Sequence, residues 1–123
     1  KVEKLFLSVL DIKSNNNMNF REKLLNILNT NLNTKISLKQ VARKMSFSQT
    51  HLERLTKKEF GCGVIQLLNQ LKINKACSML LNRNDNIGTI AKSLAFYDQS
   101  YFTRYFKEKT GYTPGQYRKE KNL

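Results

Sequence analysis

The sequence predicts an all-α fold in which two helix-turn-helix units are joined by a long central helix. Three observations carry this. Apolar residues recur at three- and four-residue spacing in successive segments, the period of a helix buried on one side. A stretch of the chain returns once: Ser37–Phe47 reappears as Asn86–Phe96 and, after one inserted residue, Ser48–Lys57 reappears as Asp98–Lys107. Between the copies, Val64, Leu67, Leu68, Leu71, Ile73, Ala76, Met79, Leu80 and Leu81 outline a single long helix.

Taken in order, Val2, Leu5, Phe6, Val9 and Leu10 alternate with charged positions and predict a short amphipathic helix, which Ser14 to Asn17 interrupt. Residues 1–19 are thus expected to be a linker helix and an Asn-rich connector, and residues 20–123 the folded domain. Phe20, Leu24, Leu25, Ile27, Leu28 and Leu32 predict a helix of about three turns, ended by Asn33 and Thr34.

The first unit is expected over about residues 37–61. Ser37 and Gln40 have capping-box spacing, Leu38, Val41, Ala42 and Met45 form a buried stripe, and Ser48 suits the N-cap of a second helix ending near Gly61. The central helix follows over 64–81, about 18 residues or roughly 27 Å. The second unit, about 86–111, repeats the plan with Asn86 and Asp98 as caps, Ile87, Ile90, Ala91 and Leu94 as the stripe, and Gly111 at the end. Two copies are too few for a solenoid, so this is a duplicated helix-turn-helix. Thr113 and Pro114 then open a last short helix through Tyr117.

At 123 residues the chain is long enough to bury a core without metal or disulfide. Its 22 Lys and Arg against 9 Asp and Glu leave a net charge of +13, well beyond the roughly 2 to 8 that solubility asks of a small domain. The surplus points to a polyanion, nucleic acid before an anionic membrane surface. No apolar run reaches the roughly 18 residues of a membrane span, so no membrane association is expected. Cys62, Cys77 and the single His51 supply no zinc set. The cysteines read as reduced thiols of a cytoplasmic protein, with one disulfide as the alternative. No metal cluster, phosphate-binding glycine loop or nucleophile-base pair is present, so neither cofactor nor enzymatic activity is expected.

The second helix of each unit, about 49–60 and 99–109, carries the candidate site. Gln49, Thr50, Glu53, Arg54 and Lys57 share one face, and Gln99, Ser100, Thr103, Arg104 and Lys107 share its counterpart. Gln and Arg make paired hydrogen bonds to adenine and guanine edges in the major groove, whereas a merely solvated face carries Glu and Lys in helical ion pairs. Gln49, Thr50, Glu53, Arg54, Gln99, Ser100, Thr103 and Arg104 are therefore the expected base readers on double-stranded DNA. Helix N-termini together with Ser48, Lys39, Lys57, Lys92, Lys107 and Arg118 are the expected phosphate contacts. His51 reads as a packing or phosphate-contacting residue. The aromatic run Phe96, Tyr97, Tyr101, Phe102, Tyr105 and Phe106 has helical spacing and reads as core, since single-strand readers built on stacking are mostly sheets. The alternative is a non-specific architectural or RNA-binding protein, for which charge alone suffices.

Ile90-Ala91, then Phe96-Tyr97-Asp98-Gln99-Ser100-Tyr101-Phe102-Thr103-Arg104-Tyr105-Phe106-Lys107, Gly111-Tyr112-Thr113-Pro114 and Tyr117-Arg118 resemble the signature of the AraC/XylS family of bacterial transcription regulators. The similarity extends more weakly through the first unit, covering roughly residues 20 to 120. It implies about seven helices in two homeodomain-like units. It also implies a cytoplasmic transcription activator working beside RNA polymerase, with an N-terminal effector-binding or dimerisation domain outside this chain. Three positions depart from the pattern. Ala95 stands where the family usually has Gly, Thr56 where it has a large apolar residue, and Lys72 where it has Arg.

Overall fold

The computed structural model describes residues 18–121. The helix expected over residues 1–13, and the connector up to residue 17, lie outside the described residues. Among the described residues there are seven helices and no strand: α1 Phe20–Asn29, α2 Leu38–Met45, α3 Gln49–Phe60, α4 Val64–Asn82, α5 Ile87–Ser93, α6 Gln99–Thr110 and α7 Pro114–Lys121. No described helix is long and apolar enough to cross a membrane.

Local chemistry sets most boundaries. Ser37 and Gln40 form a reciprocal capping box at the start of α2, as Asn19 and Glu22 do for α1, satisfying N–H groups that a helix leaves open. Asn86 caps α5 by accepting from Thr89 N at 2.7 Å. Thr113 and Gln116 exchange hydrogen bonds at the start of α7. Gly61 and Gly111 end α3 and α6 in the left-handed conformation, at φ 79° and 85°, which glycine enters without a Cβ clash.

Two boundaries differ from expectation. α1 stops at Asn29, short of Leu32. The Thr30 hydroxyl and the Asn31 amide donate to carbonyls of its last turn, and such side-chain bonds compete with helix continuation. α7 runs past Tyr117 to Lys121. There Arg118 Nε donates to the Leu80 carbonyl at 2.9 Å and a terminal guanidinium nitrogen to that of Arg83 at 3.0 Å. The side chain thereby joins α7 to the C-terminal end of α4 and satisfies carbonyls left open there.

α4 serves two cores. Its first half supplies Val64, Leu67 and Leu68 to a cluster with Leu24 and Leu28 of α1, Val41, Ala42 and Met45 of α2, and Leu52 of α3. Its second half supplies Ile73, Ala76, Met79 and Leu80 to a cluster with Ile90 and Ala91 of α5, Leu94 and Phe96 of the following turn, and Phe102 and Phe106 of α6. Full burial of a Val, Leu, Ile, Met or Phe side chain is worth about 1.5–3 kcal/mol. Leu32, freed from α1, packs against both clusters and helps to hold the units together. Thr56 lies fully buried in the first unit, its hydroxyl donating to the Leu52 carbonyl at 2.7 Å. Its repeat counterpart Phe106 fills the corresponding space with a ring, so the first core is the smaller there.

The tight turns within the units are left-handed at Ser46, φ 63°, and at Ala95, φ 57°. These are equivalent positions of the repeat. Both turns therefore need the conformation glycine favours and make it without glycine.

Candidate nucleic-acid interface

The second helix of each unit starts from a side-chain cap. Ser48 accepts from His51 N at 3.1 Å and Asp98 from Tyr101 N at 2.8 Å. Behind the caps, α3 buries Leu52 and Thr56, and α6 buries Phe102 and Phe106. This leaves Gln49, Thr50, Arg54 and Lys57 exposed on α3, and Gln99, Ser100, Arg104 and Lys107 exposed on α6, with Thr103 half-buried. In the first unit, Gln49, Thr50, Glu53, Arg54 and Lys57 line one shallow depression with Leu38. In the second, Gln99, Ser100, Thr103 and Arg104 line its counterpart. Lys39 and Lys92 are exposed on the first helices of the two units.

The faces differ in how their side chains are held. Arg54 lies 2.8 Å from His51 Nδ1, and His51 in turn packs edge-on against Phe47, with ring centres 4.8 Å apart. The arginine thus projects from a fixed support. In the second unit Tyr101 takes the place of His51 and stacks on Tyr105, 6.1 Å away. Gln99 folds back over α5, where a Cβ on Gly88 would meet its Oε1 at 2.8 Å. The glycine leaves the room in which Gln99 sits.

Three expected roles change. The Glu53 carboxylate does not stand ready for a base edge. Its Oε1 accepts from the backbone N–H of Val64 at 2.8 Å, because the N-cap of α4 is Gly63, which has no side chain to do so, and the helix start favours a negative charge. Arg118, expected at phosphate, instead binds the carbonyls at the end of α4. Among the aromatics, Phe96, Phe102 and Phe106 are buried, but Tyr97 is 81% exposed and Tyr101 37%. Tyr97 is the residue inserted in the second copy of the repeat, and that one-residue excursion carries its ring out of the core.

The sequence profile of a family described as a helix-turn-helix domain matches residues 41–120, which takes in the second unit and all of the first but its opening residues. The chain belongs to the AraC/XylS family. The AraC-type domain is 30% identical over 95 residues to the multiple antibiotic resistance protein MarA of Salmonella typhimurium, across 77% of this chain and 75% of that one. It superposes with a TM-score of 0.77 and 30% identity on the C-terminal domain of the two-component response regulator yesN from Fusobacterium nucleatum, covering 82% of this chain and 99% of that one. The DNA-binding domain of AdpA, solved in complex with a target DNA, shares the fold at a TM-score of 0.75 and 18% identity, across 81% and 89% of the two chains. By contrast, the chain spans only between 13% and 30% of the length of three Bacillus subtilis helix-turn-helix regulators that it also matches.

Two residues of this AraC-type surface escaped the sequence reading. Lys35, between α1 and α2, is exposed with its Nζ 6.0 Å from the Tyr97 ring centre. It has no counterpart in the repeat to draw attention to it. Gly88 could be found only from the position of Gln99, a side chain eleven residues away.

Proposed function

We propose that this chain is the DNA-reading part of a transcription activator, and that it reads two adjacent major-groove segments with α3 and α6. The observation that carries this is the duplicated face. In each unit a Gln and a hydroxyl residue open the helix, and an Arg follows one turn on, exposed and backed by a buried apolar stripe. Gln and Arg are the side chains suited to bidentate contacts with adenine and guanine. Recognition helices of this kind enter successive major-groove segments about 34 Å apart. Gln49, Thr50 and Arg54 are the base readers of the first unit, and Gln99, Ser100, Thr103 and Arg104 those of the second. Ser48, Lys39, Lys57, Lys92 and Lys107 hold phosphates. The AdpA domain, which shares this fold and was solved with a target DNA, is in keeping with DNA as the partner.

An effector-binding or dimerisation domain preceding this one is in keeping with the yesN match, which is to the C-terminal domain of a larger regulator. RNA polymerase contact and a cytoplasmic location belong to the same reading. Selection of bound duplexes from a randomised pool, at low and near-physiological salt, tests it, because counterion release weakens with salt while base readout persists. Two conserved blocks about one helical turn apart are expected. A single block would confine reading to one unit, and no block would favour non-specific binding.

A further inference from the structure

The two units meet at a cleft of about 550 Å³ whose walls come from both of them: Thr34 and Lys35 from the first, and Gly88, Lys92, Tyr97 and Gln99 among those from the second. We propose that this cleft is a binding site for one backbone phosphate of duplex DNA, gripped by Lys35 from the first unit and by Lys92 and the Tyr97 hydroxyl from the second. The inference rests on the reading of α6 as a recognition helix, and adds a contact that neither unit makes alone.

Four features point to an anion here. Lys35 and Lys92 line the cleft from different units and are both exposed, and neither has an ion pair among the described residues. A third cation lies behind them. Lys72 of α4 is 4% exposed, with Nζ 5.4 Å from the Phe96 ring centre. The only carboxylate in the cleft wall among the described residues, Asp98, is engaged as the cap of α6. Finally, Tyr97 is a large aromatic side chain placed almost wholly in solvent beside Lys35, by a residue inserted at this point of the repeat alone. A ring so exposed contributes nothing to the core, but its hydroxyl is a hydrogen-bond donor of the kind that contacts phosphate oxygen.

The position of the cleft selects DNA phosphate over a free anion. Gln99, the first residue of α6, lines both the cleft and the base-reading depression. A strand running past the start of α6 would bring its backbone across the cleft on the way between the two major-groove segments. A phosphate held from both sides would fix the spacing of the units on the duplex, which the length of α4 alone does not do.

The test compares wild-type protein with Lys35→Gln and Tyr97→Phe on a selected duplex and on a scrambled one, over a range of salt. Both side chains are exposed, so an unchanged thermal melt is expected to confirm folding. Lys35→Gln should lower the slope of log affinity against log salt by about 1 on either duplex, and Tyr97→Phe should weaken binding without changing the slope. Neutral methylphosphonate substitution at successive backbone positions then locates the contact. One position between the two blocks should weaken the wild type clearly more than it weakens Lys35→Gln. A wild-type slope for Lys35→Gln, or equal sensitivity of both proteins at every position, would overturn the proposal. Loss of sequence preference in the wild type would instead count against the two-block reading, and the slope comparison would still decide the cleft.

Discussion

The Glu53 carboxylate accepts the backbone N–H of Val64 at 2.8 Å, so α3 is hydrogen-bonded to the start of α4, the helix that connects the units. Gly63 stands between them, where an added Cβ would lie 3.2 Å from the same oxygen. The acid is therefore part of the scaffold. Glu53→Ala is expected to lower stability by about 1–2 kcal/mol, the cost of leaving a partly buried N–H without its charged partner, and to leave relative base preference unchanged. Denaturant unfolding and competition binding check the two halves. A changed preference at one base pair with unchanged stability would return Glu53 to the reading face.

Arg104 and Lys57 should separate the two kinds of contact. Arg104→Ala is expected to relax preference at one base pair at a cost of about 1–3 kcal/mol, whereas Lys57→Ala should weaken all sequences alike. Equal losses for both variants on every sequence would sink the assignment of Arg104 to a base.

Gly88→Ala should change reading without harming the fold. Alanine suits a helix better than glycine by up to about 1 kcal/mol, and the atom it would crowd is the flexible end of Gln99. Thermal stability is expected to hold or rise while preference at the base pair beneath Gln99 is lost or altered. An unaltered selected motif would show that the folded-back position of Gln99 plays no part in recognition.

The two left-handed turns offer a stability test. Ser46→Gly and Ala95→Gly remove a Cβ from backbone at φ 63° and 57°, and each should stabilise the protein by about 1 kcal/mol. The sites lie in different units, so the double variant should give nearly the sum. A loss of stability in either variant would mean that the greater freedom of glycine in the unfolded chain outweighs the relief of strain.

Lys72 should give stability a dependence on high pH. Burial, and after it the charge of Lys35, lowers its pKa below 10.5. Between that lowered value and 10.5 the unfolded chain holds the proton more tightly than the folded one, so unfolding free energy rises with pH across this window. Lys72→Met should flatten the rise. Denaturant midpoints at a series of pH values approaching 10.5 would show it, and parallel curves for the two proteins would count against it.

What the sequence determined by itself is the set of local decisions. The buried stripes, the Ser37–Gln40 box, the caps at Ser48, Asn86 and Asp98 and the terminal glycines all act within a turn or two of chain, where periodicity and capping chemistry suffice. The base-reading candidates on α3 and α6 were visible for the same reason, since which helical face is polar follows from spacing alone. The tertiary structure decided where polar side chains turn once a distant partner is within reach. Glu53 finds an N–H eleven residues away, and Arg118 a carbonyl thirty-eight residues away. Tyr97 leaves the core because the neighbouring turn has one residue more, and Lys35 meets it only because the two units pack together. Hydrogen bonds and charges act over a few ångströms in space, and their pairing is set by packing, not by position along the chain.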